Sequence, residues 1–250
     1  MANFIHSVRR RPNAGGGPGI QIVGWASAQS DSANFQNSLG TLTGGIGGSV
    51  QTGDLLIAFS FAATSNVNID MDVLDSGGVS LGWTEKYDDY RNDSNDSNFG
   101  IHWTIAGSSP PSSVYHPGST NTGWAALGLV GVFRGVNQTT PFDVADVPSG
   151  GLNSAIVDPG LITPVTAGAL IIAGGGCAFG ATAITLNGPA NMDAMQSVTR
   201  AESSRGAFLG IATKTWTSGD FNPDVMSIVN PGVDDPGNSW SGFTMALRPA

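Results

Sequence analysis

The segment Thr52-Gly53-Asp54-Leu55-Leu56-Ile57-Ala58 decides the fold, because it is repeated 115 residues later as Ala167-Gly168-Ala169-Leu170-Ile171-Ile172-Ala173. In both copies a turn sequence precedes an apolar run of strand length. A second pair of segments follows each copy: residues 124–134 and residues 240–248 both begin with Trp and end with Arg. This agreement predicts one supersecondary unit built twice, over about residues 45–140 and 160–250.

Apolar residues within each unit recur with the two-residue period of a β-strand. Residues 67–73 alternate apolar and polar side chains, which predicts a half-buried strand with Asn68, Asp70 and Asp72 facing water. Later strands of the two units also match, Phe99 and Ile101 with Leu209 and Ile211, and Leu129 and Phe133 with Phe243 and Leu247. No window shows the 3.6-residue period of a helix, so each unit provides about four strands.

Four strands with one apolar face are not stable alone, but two such sets facing each other would bury both faces. We therefore expect an all-β protein, a two-sheet antiparallel β-sandwich with jelly-roll-like winding, built from two pseudo-repeats of about four strands. We expect residues 20–250 to form this single domain. The alternative is two small domains, each with a core from only about 100 residues.

Composition agrees with many short strands joined by tight turns, since the chain has 36 Gly, 14 Pro and only 12% charged residues. The single Cys177 cannot form an intramolecular disulfide and lies in an apolar strand, which predicts a buried thiol. The N-terminus has no apolar core of signal-peptide length, and the apolar runs are shorter than a membrane span. We expect a soluble product made in the cytoplasm.

Charge is divided unevenly between residues 1–19 and the rest of the chain. Arg9, Arg10 and Arg11 lie in a Gly- and Pro-rich segment without acidic residues, whereas residues 20–250 hold seven basic and nineteen acidic residues, a net charge of −12. Such a body should repel nucleic acid and anionic membranes. We expect residues 1–19 to be a flexible basic arm that binds an acidic groove on a partner protein through Arg9, Arg10 and Arg11.

The sequence offers no catalytic constellation. Of the three histidines, His6 lies in the arm, His102 neighbours the core-like Trp103, and His116 precedes Pro117 in an expected turn. None of the three is placed to act as the base of a serine hydrolase, and the only glutamates, Glu85 and Glu202, argue against a glycosidase. We predict no catalytic residue and no cofactor.

Two features could bind a ligand. Residues 88–98 are rich in Asp and Asn but lack the central Gly and closing Glu of an EF-hand, so we interpret them as an acidic hairpin loop and predict no metal site. Trp103, Trp124 and Trp240 lie in apolar strands and are expected in the core. Trp83 and Trp216 lie beside Gly, Ser and Thr, which makes them the candidates for exposed glycan platforms, although packing at the core edge is the simpler expectation.

Three strings resemble a β-sandwich family of virion proteins from tailed bacteriophages and prophages. They are Val50–Phe59, Phe133-Arg134-Gly135-Val136 followed by Pro141-Phe142-Asp143, and Trp240–Pro249, within a resemblance that covers about residues 45–250. These strings are strand and turn signatures and bring no catalytic residue with them.

The resemblance implies a virion structural protein, either a capsid decoration or cement protein, a head spike, or a tail or fibre module. A compact domain behind a short basic arm favours capsid decoration, with the major capsid protein or another virion subunit as partner and a homo-oligomer, a trimer in similar proteins, as the assembly. The alternative is a tail or fibre-associated module that presents Trp83, Trp216 or residues 88–98 to host glycans.

Overall fold

The structure is a computed structural model and describes residues 19–31, 33–92, 96–154, 156–180, 185–229 and 238–250. The first half of the chain forms seven strands: β1 Gln21–Ser30, β2 Phe35–Ser38, β3 Leu55–Thr64, β4 Thr84–Arg91, β5 Asp96–Ile105, β6 Ser113–His116 and β7 Ala126–Arg134. The second half forms eight: β8 Val147–Leu152, β9 Ile156–Val157, β10 Leu170–Phe179, β11 Thr185–Asn187, β12 Ala194–Arg200, β13 Gly206–Thr215, β14 Met226–Val229 and β15 Ser239–Leu247.

Two five-stranded antiparallel sheets form the centre of the molecule, which confirms the predicted all-β sandwich. Sheet 1 has the order β1-β7-β3-β5-β4, and sheet 2 has the order β8-β15-β10-β13-β12. The two orders are the same when β1 is matched to β8, β7 to β15, β3 to β10, β5 to β13 and β4 to β12. Each half of the chain therefore contributes five strands to its main sheet: four lie within the predicted pseudo-repeat, and the fifth, β1 or β8, precedes it.

The repeat holds at the level of individual residue pairs. In sheet 1, Leu55 pairs with Ile105 on one side and Phe133 on the other. In sheet 2, Leu170 takes the same position between Thr215 and Leu247. Equivalent positions on the two central strands, β3 and β10, are thus separated by the 115 residues that the sequence comparison indicated.

The inner faces of both sheets share one hydrophobic core. The core positions expected from the sequence are all buried in it: Leu55, Ile57, Leu170, Ile172, Phe243 and Leu247. Phe59 and Phe99 of sheet 1 stack on Phe243 of sheet 2, with ring centroids 5.4 and 5.9 Å away. The sheets face each other so that β12 packs against β1 and β7, and β4 packs against β8 and β15.

A smaller layer covers the outer face of each main sheet. On sheet 1 this layer is the β2–β6 pair with Leu74 bridged to Tyr115, and on sheet 2 it is the three-stranded sheet β11-β14-β9. The central strands β3 and β10 are therefore buried along their whole length. Burial on both faces explains why they read as continuous apolar runs without polar alternation.

Glycines let these covering layers approach closely. A Cβ placed on Gly100 of β5 would lie 2.5 Å from Cβ of Met71, and one placed on Gly210 of β13 would lie 3.2 Å from Leu186. The pairs Gly100–Met71 and Gly210–Leu186 are equivalent in the two halves, so the covering layers belong to the repeat as well.

Three expectations need correction. A jelly roll winds strands alternately into two sheets, whereas here all strands of a main sheet come from one half of the chain. Residues 67–73 keep the predicted alternation of burial but form no strand ladder, because side chains bond their backbone: Asn98 Oδ1 accepts from Ile69 N, and Asp72 Oδ1 accepts from Val73 N.

The third correction concerns the Trp residues that marked the second repeated segment. In sheet 2, Trp240 pairs with Cys177. The residue of sheet 1 equivalent to Cys177 is Ala62, which pairs with Ala126. Trp240 therefore corresponds to Ala126 and not to Trp124. The true match lies at the other end of these segments, where Arg134 and Arg248 follow the equivalent residues Phe133 and Leu247.

No helix in the described part of the chain is long and apolar enough to cross a membrane.

Candidate functional site

A buried polar cluster joins the covering layer of sheet 1 to its central strand. His116, at the end of β6, lies with Nδ1 2.7 Å from Ser60 Oγ on β3 and Nε2 3.1 Å from Asn37 Nδ2 on β2. Its ring stacks on Phe35 at 5.4 Å and lies against Gly128, where a Cβ would come within 2.5 Å of the ring. Asn37, Ser60 and His116 are all fully buried.

This cluster resembles a serine–histidine pair in composition but not in hydrogen bonding. An amide Nδ2 can only donate, so the Asn37 Nδ2 bond leaves Nε2 as acceptor and places the imidazole proton on Nδ1, facing Ser60. His116 therefore cannot take a proton from Ser60 through Nδ1, and no solvent reaches the hydroxyl. Burial lowers the pKa of His116 to about 3, with a smaller contribution from His102, so the ring is neutral near pH 7.

The sequence placed His116 in a turn before Pro117, and the structure places it on a strand in the core. The cluster joins residues that are 56 and 79 positions apart in the chain. Burial alternates along β6, where Val114 and His116 are buried and Ser113 and Tyr115 are partly exposed, but the sequence Ser-Val-Tyr-His carries no matching alternation of apolar and polar residues.

A second cluster lies on the outer face of sheet 1 around His102. Glu85 on β4 pairs directly with His102, and Asp88 pairs with Gly100, the residue under Met71. Asp70 and Asp72 flank Met71 in the sequence. Four carboxylates therefore lie on this part of the outer face, those of Asp70, Asp72, Glu85 and Asp88. We call them the acidic patch.

The environment of the acidic patch shifts two pKa values. Partial desolvation, followed by the charges of Glu85, Asp70 and Asp89, raises the pKa of Asp88 to about 6, although its side chain keeps contact with solvent. His102 is only 3% exposed, and burial lowers its pKa despite the nearby carboxylates. Its Nε2 lies 3.7 Å from Asp72 Oδ1, and its Nδ1 has no hydrogen-bond partner.

The acidic patch is a poor metal site. A metal-bound imidazole normally donates its second N–H to an acceptor, and the structure provides no acceptor at Nδ1 of His102. Within the described ranges, no three His, Cys, Asp or Glu side chains are arranged to hold a metal ion.

Residues 88–98, expected as an acidic loop, belong mainly to the β4–β5 hairpin. Asp88 and Asp89 lie on β4, whereas Asp96 and Asn98 lie on β5 and are buried. Asp96 Oδ2 accepts hydrogen bonds from Asn66 N and from Tyr90 Oη. The side-chain oxygens of Asp96 and Asn98 are thus used inside the fold, and residues 93–95 lie outside the described part.

Basic side chains of the body are already engaged. Six of the seven form ion pairs with carboxylates: Lys86 with Asp146, Arg91 with Asp89, Arg134 with Asp54, Arg200 with Glu202, Lys214 with Asp193, and Arg248 with Asp143. The seventh, Arg205, lies over the ring of Trp124, 5.3 Å from its centroid. The body therefore presents an excess of acidic groups.

Arg134 and Arg248 occupy equivalent positions but pair with acids from different segments. Arg134 bonds Asp54 at 2.8 and 2.9 Å. Asp143, the partner of Arg248, also accepts hydrogen bonds from Val165 N and Thr166 N and from the Thr166 hydroxyl. Burial opposes ionisation of Asp143, but these bonds with Thr166, Val165 and Arg248 outweigh it and lower its pKa.

The candidate glycan platforms are not open aromatic faces. Trp83 is partly buried against the apolar cluster on the outer face of sheet 1. Trp216 packs beside Phe221, and its Nε1 donates to Gly219 O at 2.8 Å. Trp103, Trp124 and Trp240, expected in the core, are also partly buried and pack against core clusters.

The proposed partner-binding residues Arg9, Arg10 and Arg11 lie outside the described residues. Comparison of the chain with protein-family models, curated proteins and solved structures finds no match.

Proposed function

We propose that the chain is a non-enzymatic structural protein of a virion, a capsid decoration, cement or head-spike protein that docks through its N-terminal arm. The observation that carries the proposal is the closed construction of the body. Layers from the same chain cover both main sheets, and the Ser60–His116–Asn37 cluster is sealed beneath one of them. The arrangement suits a rigid module better than an enzyme, which needs reactive groups in a cleft that substrate can enter.

A cavity in the layer outside sheet 1 agrees with this view. It has a volume of about 220 Å³ and is lined by Leu39, Gly40, Ser49, Val50, Pro110, Pro111 and Ser112. It holds no titratable side chain, so it could receive an apolar group but could not carry out acid–base or nucleophilic chemistry.

The distribution of charge supports docking through the arm. Every basic residue of the body is engaged within the body, and the uncompensated groups at its surface are carboxylates. An acidic partner surface would be repelled by such a body, so the attraction has to come from Arg9, Arg10 and Arg11. The resemblance in sequence suggests the major capsid protein or another virion subunit as that partner, and a homo-oligomer as the bound form.

Co-sedimentation with undecorated particles tests the proposal. We expect the full chain to bind, with affinity falling as salt rises, because mobile ions screen exposed charges beyond about 8–10 Å at physiological ionic strength. Replacing Arg9, Arg10 and Arg11 together by Glu should abolish binding, whereas replacing all three by Lys should retain most of it. Equal binding of the Glu variant and the unchanged chain would place the interface on the sandwich.

A further inference from the structure

The two main sheets have four edge strands, and three of these edges are blocked. Unpaired edges attract other strands, so folded proteins cover them or interrupt them with charges, bulges or proline. The edge of β1 is covered by residues 43–47, where Trp25 bridges Thr43 and the carbonyls of Ile22 and Val23 accept hydrogen bonds from Ile46 and Gly47.

The edges of β4 and β8 are blocked by their own sequences. Five of the eight residues of β4 are charged, and its register shifts between Glu85 and Tyr87, as in a β-bulge. β8 contains Pro148 and two glycines, and Arg91 from β4 lies against Gly150. Neither strand offers a regular backbone edge to another chain.

The edge of β12 has none of these devices. Its seven residues, Ala-Met-Gln-Ser-Val-Thr-Arg, contain no Pro and no Gly, and they are uncharged as far as Thr199. They pair with β13 in unbroken register. Across the described ranges, no backbone group other than those of β13 hydrogen-bonds to β12. The strand is also firmly held, because Val198 packs against the shared core and Met195 against the outer cluster.

We propose that β12 is an interaction surface for a second copy of this chain, which adds its own β12 antiparallel across a two-fold axis at Ser197. An antiparallel strand can pair with itself, and a two-fold interface uses the same patch on both subunits. In this register Ser197 faces Ser197 of the second copy. The pairing would join the two copies of sheet 2 into one ten-stranded sheet.

The charges on the strand are compatible with this register. Residues 194–199 are uncharged and Arg200 would lie opposite Ala194 of the second copy, so no like charges face each other within the paired segment. The same contact occurs twice, once on each side of the axis. Because each body carries a net charge of −12, long-range repulsion opposes the approach of two copies, and added salt should strengthen the pairing.

The exposed Ser197 allows a charge-swap experiment on the full chain. Light scattering across a dilution series at physiological salt should show a species of twice the 25.5 kDa monomer mass. Ser197→Lys and Ser197→Asp each place like charges directly opposite one another, so each variant alone should dimerise at least about tenfold more weakly. Mixing the two variants should restore dimers, because opposite charges then face each other.

Two controls separate this result from other causes. Thr84→Lys adds the same charge to the exposed start of β4 and should leave dimerisation unchanged, and thermal melting should show that all three variants remain folded. An unchanged chain that stays monomeric at every concentration overturns the proposal. Dimers of Ser197→Lys as strong as those of the unchanged chain, or no recovery on mixing, would overturn it as well.

Discussion

Ser60 and His116 are joined by a 2.7 Å contact between Oγ and Nδ1 beneath the β2–β6 layer, where no solvent reaches either side chain. The bond holds a covering strand onto the central strand of sheet 1 through a neutral imidazole. The attachment of this layer therefore depends on a group that becomes charged in the unfolded chain at mildly acidic pH.

Acidification should destabilise the protein through His116. Its pKa is about 3 in the folded state, against an ordinary value of 6.5, so below pH 6.5 the unfolded chain binds a proton that the folded chain does not. Titration of His116 should leave the free energy of unfolding independent of pH above about pH 7 and should lower it below pH 6.5 by up to about 1.4 kcal/mol per pH unit. Urea denaturation from pH 7.5 to pH 4.5 measures this slope.

The control for this prediction is His116→Gln, which should be less stable at neutral pH but show a shallower slope. His102 contributes in the same direction because its pKa is also lowered, and His102→Gln measures its share. An identical slope in the unchanged chain and in His116→Gln would contradict the assignment.

Asp88→Asn should slightly stabilise the protein above pH 6. Because burial and neighbouring charges raise the pKa of Asp88 from 3.8 to about 6, its contribution to stability is full below pH 3.8 and is lost as pH rises from 3.8 through 6. Because the side chain is exposed, solvent screening should keep the gain below about 1 kcal/mol. Thermal melting should show a larger gain at pH 7.5 than at pH 5 and no gain below pH 3.8, and Asp75→Asn, at an exposed position outside the acidic patch, is the matched control.

Truncation of equivalent core residues should have equivalent effects. Ile57→Ala and Ile172→Ala each remove a fully buried side chain from the shared core, and each should lower the free energy of unfolding by about 2–5 kcal/mol. Since both sheets depend on that core, each variant should unfold in one transition detected alike by fluorescence and circular dichroism. Two separate transitions would show that the sheets unfold independently.

Alanine at two equivalent glycines should have unequal effects. A Cβ on Gly100 meets the Cβ of Met71 at 2.5 Å and its backbone oxygen at 2.9 Å, so the backbone of the covering layer must move. On Gly210 the nearest atoms are Met226 Sδ at 3.1 Å and Leu186 Cδ2 at 3.2 Å, the ends of flexible side chains. Gly100→Ala should cost about 1–3 kcal/mol of stability and Gly210→Ala clearly less, as judged by chemical denaturation. Equal losses of stability in the two variants would show that the two covering layers move equally easily to make room for the added methyl group.

The sequence was most informative where burial is complete and the strand is central. Leu55 and Leu170 lie in apolar runs framed by turns, and the interval between the runs was enough to predict the repeat. β4 was not predicted, because an edge strand that faces solvent carries mostly charged residues. With these residues on both sides of Tyr87, the sequence shows no apolar alternation that would indicate a strand.

The polar cluster could not have been predicted from local patterns. His116 is followed by Pro117, which favours a turn, and its burial depends on Asn37 and Ser60, which are brought together only by pairing of distant strands. The acidic patch is similar, since Asp72 and Glu85 come together around His102 through the packing of Met71 on Gly100.

The identical strand order of the two sheets has a consequence for assembly. A chain containing only one half would expose the inner face of its sheet and would need a second molecule to close the sandwich. Here residues 135–146 tether the halves, so each sheet meets the other at an effective concentration on the order of millimolar, whatever the concentration of the protein. Closure of the sandwich therefore follows first-order kinetics and survives dilution.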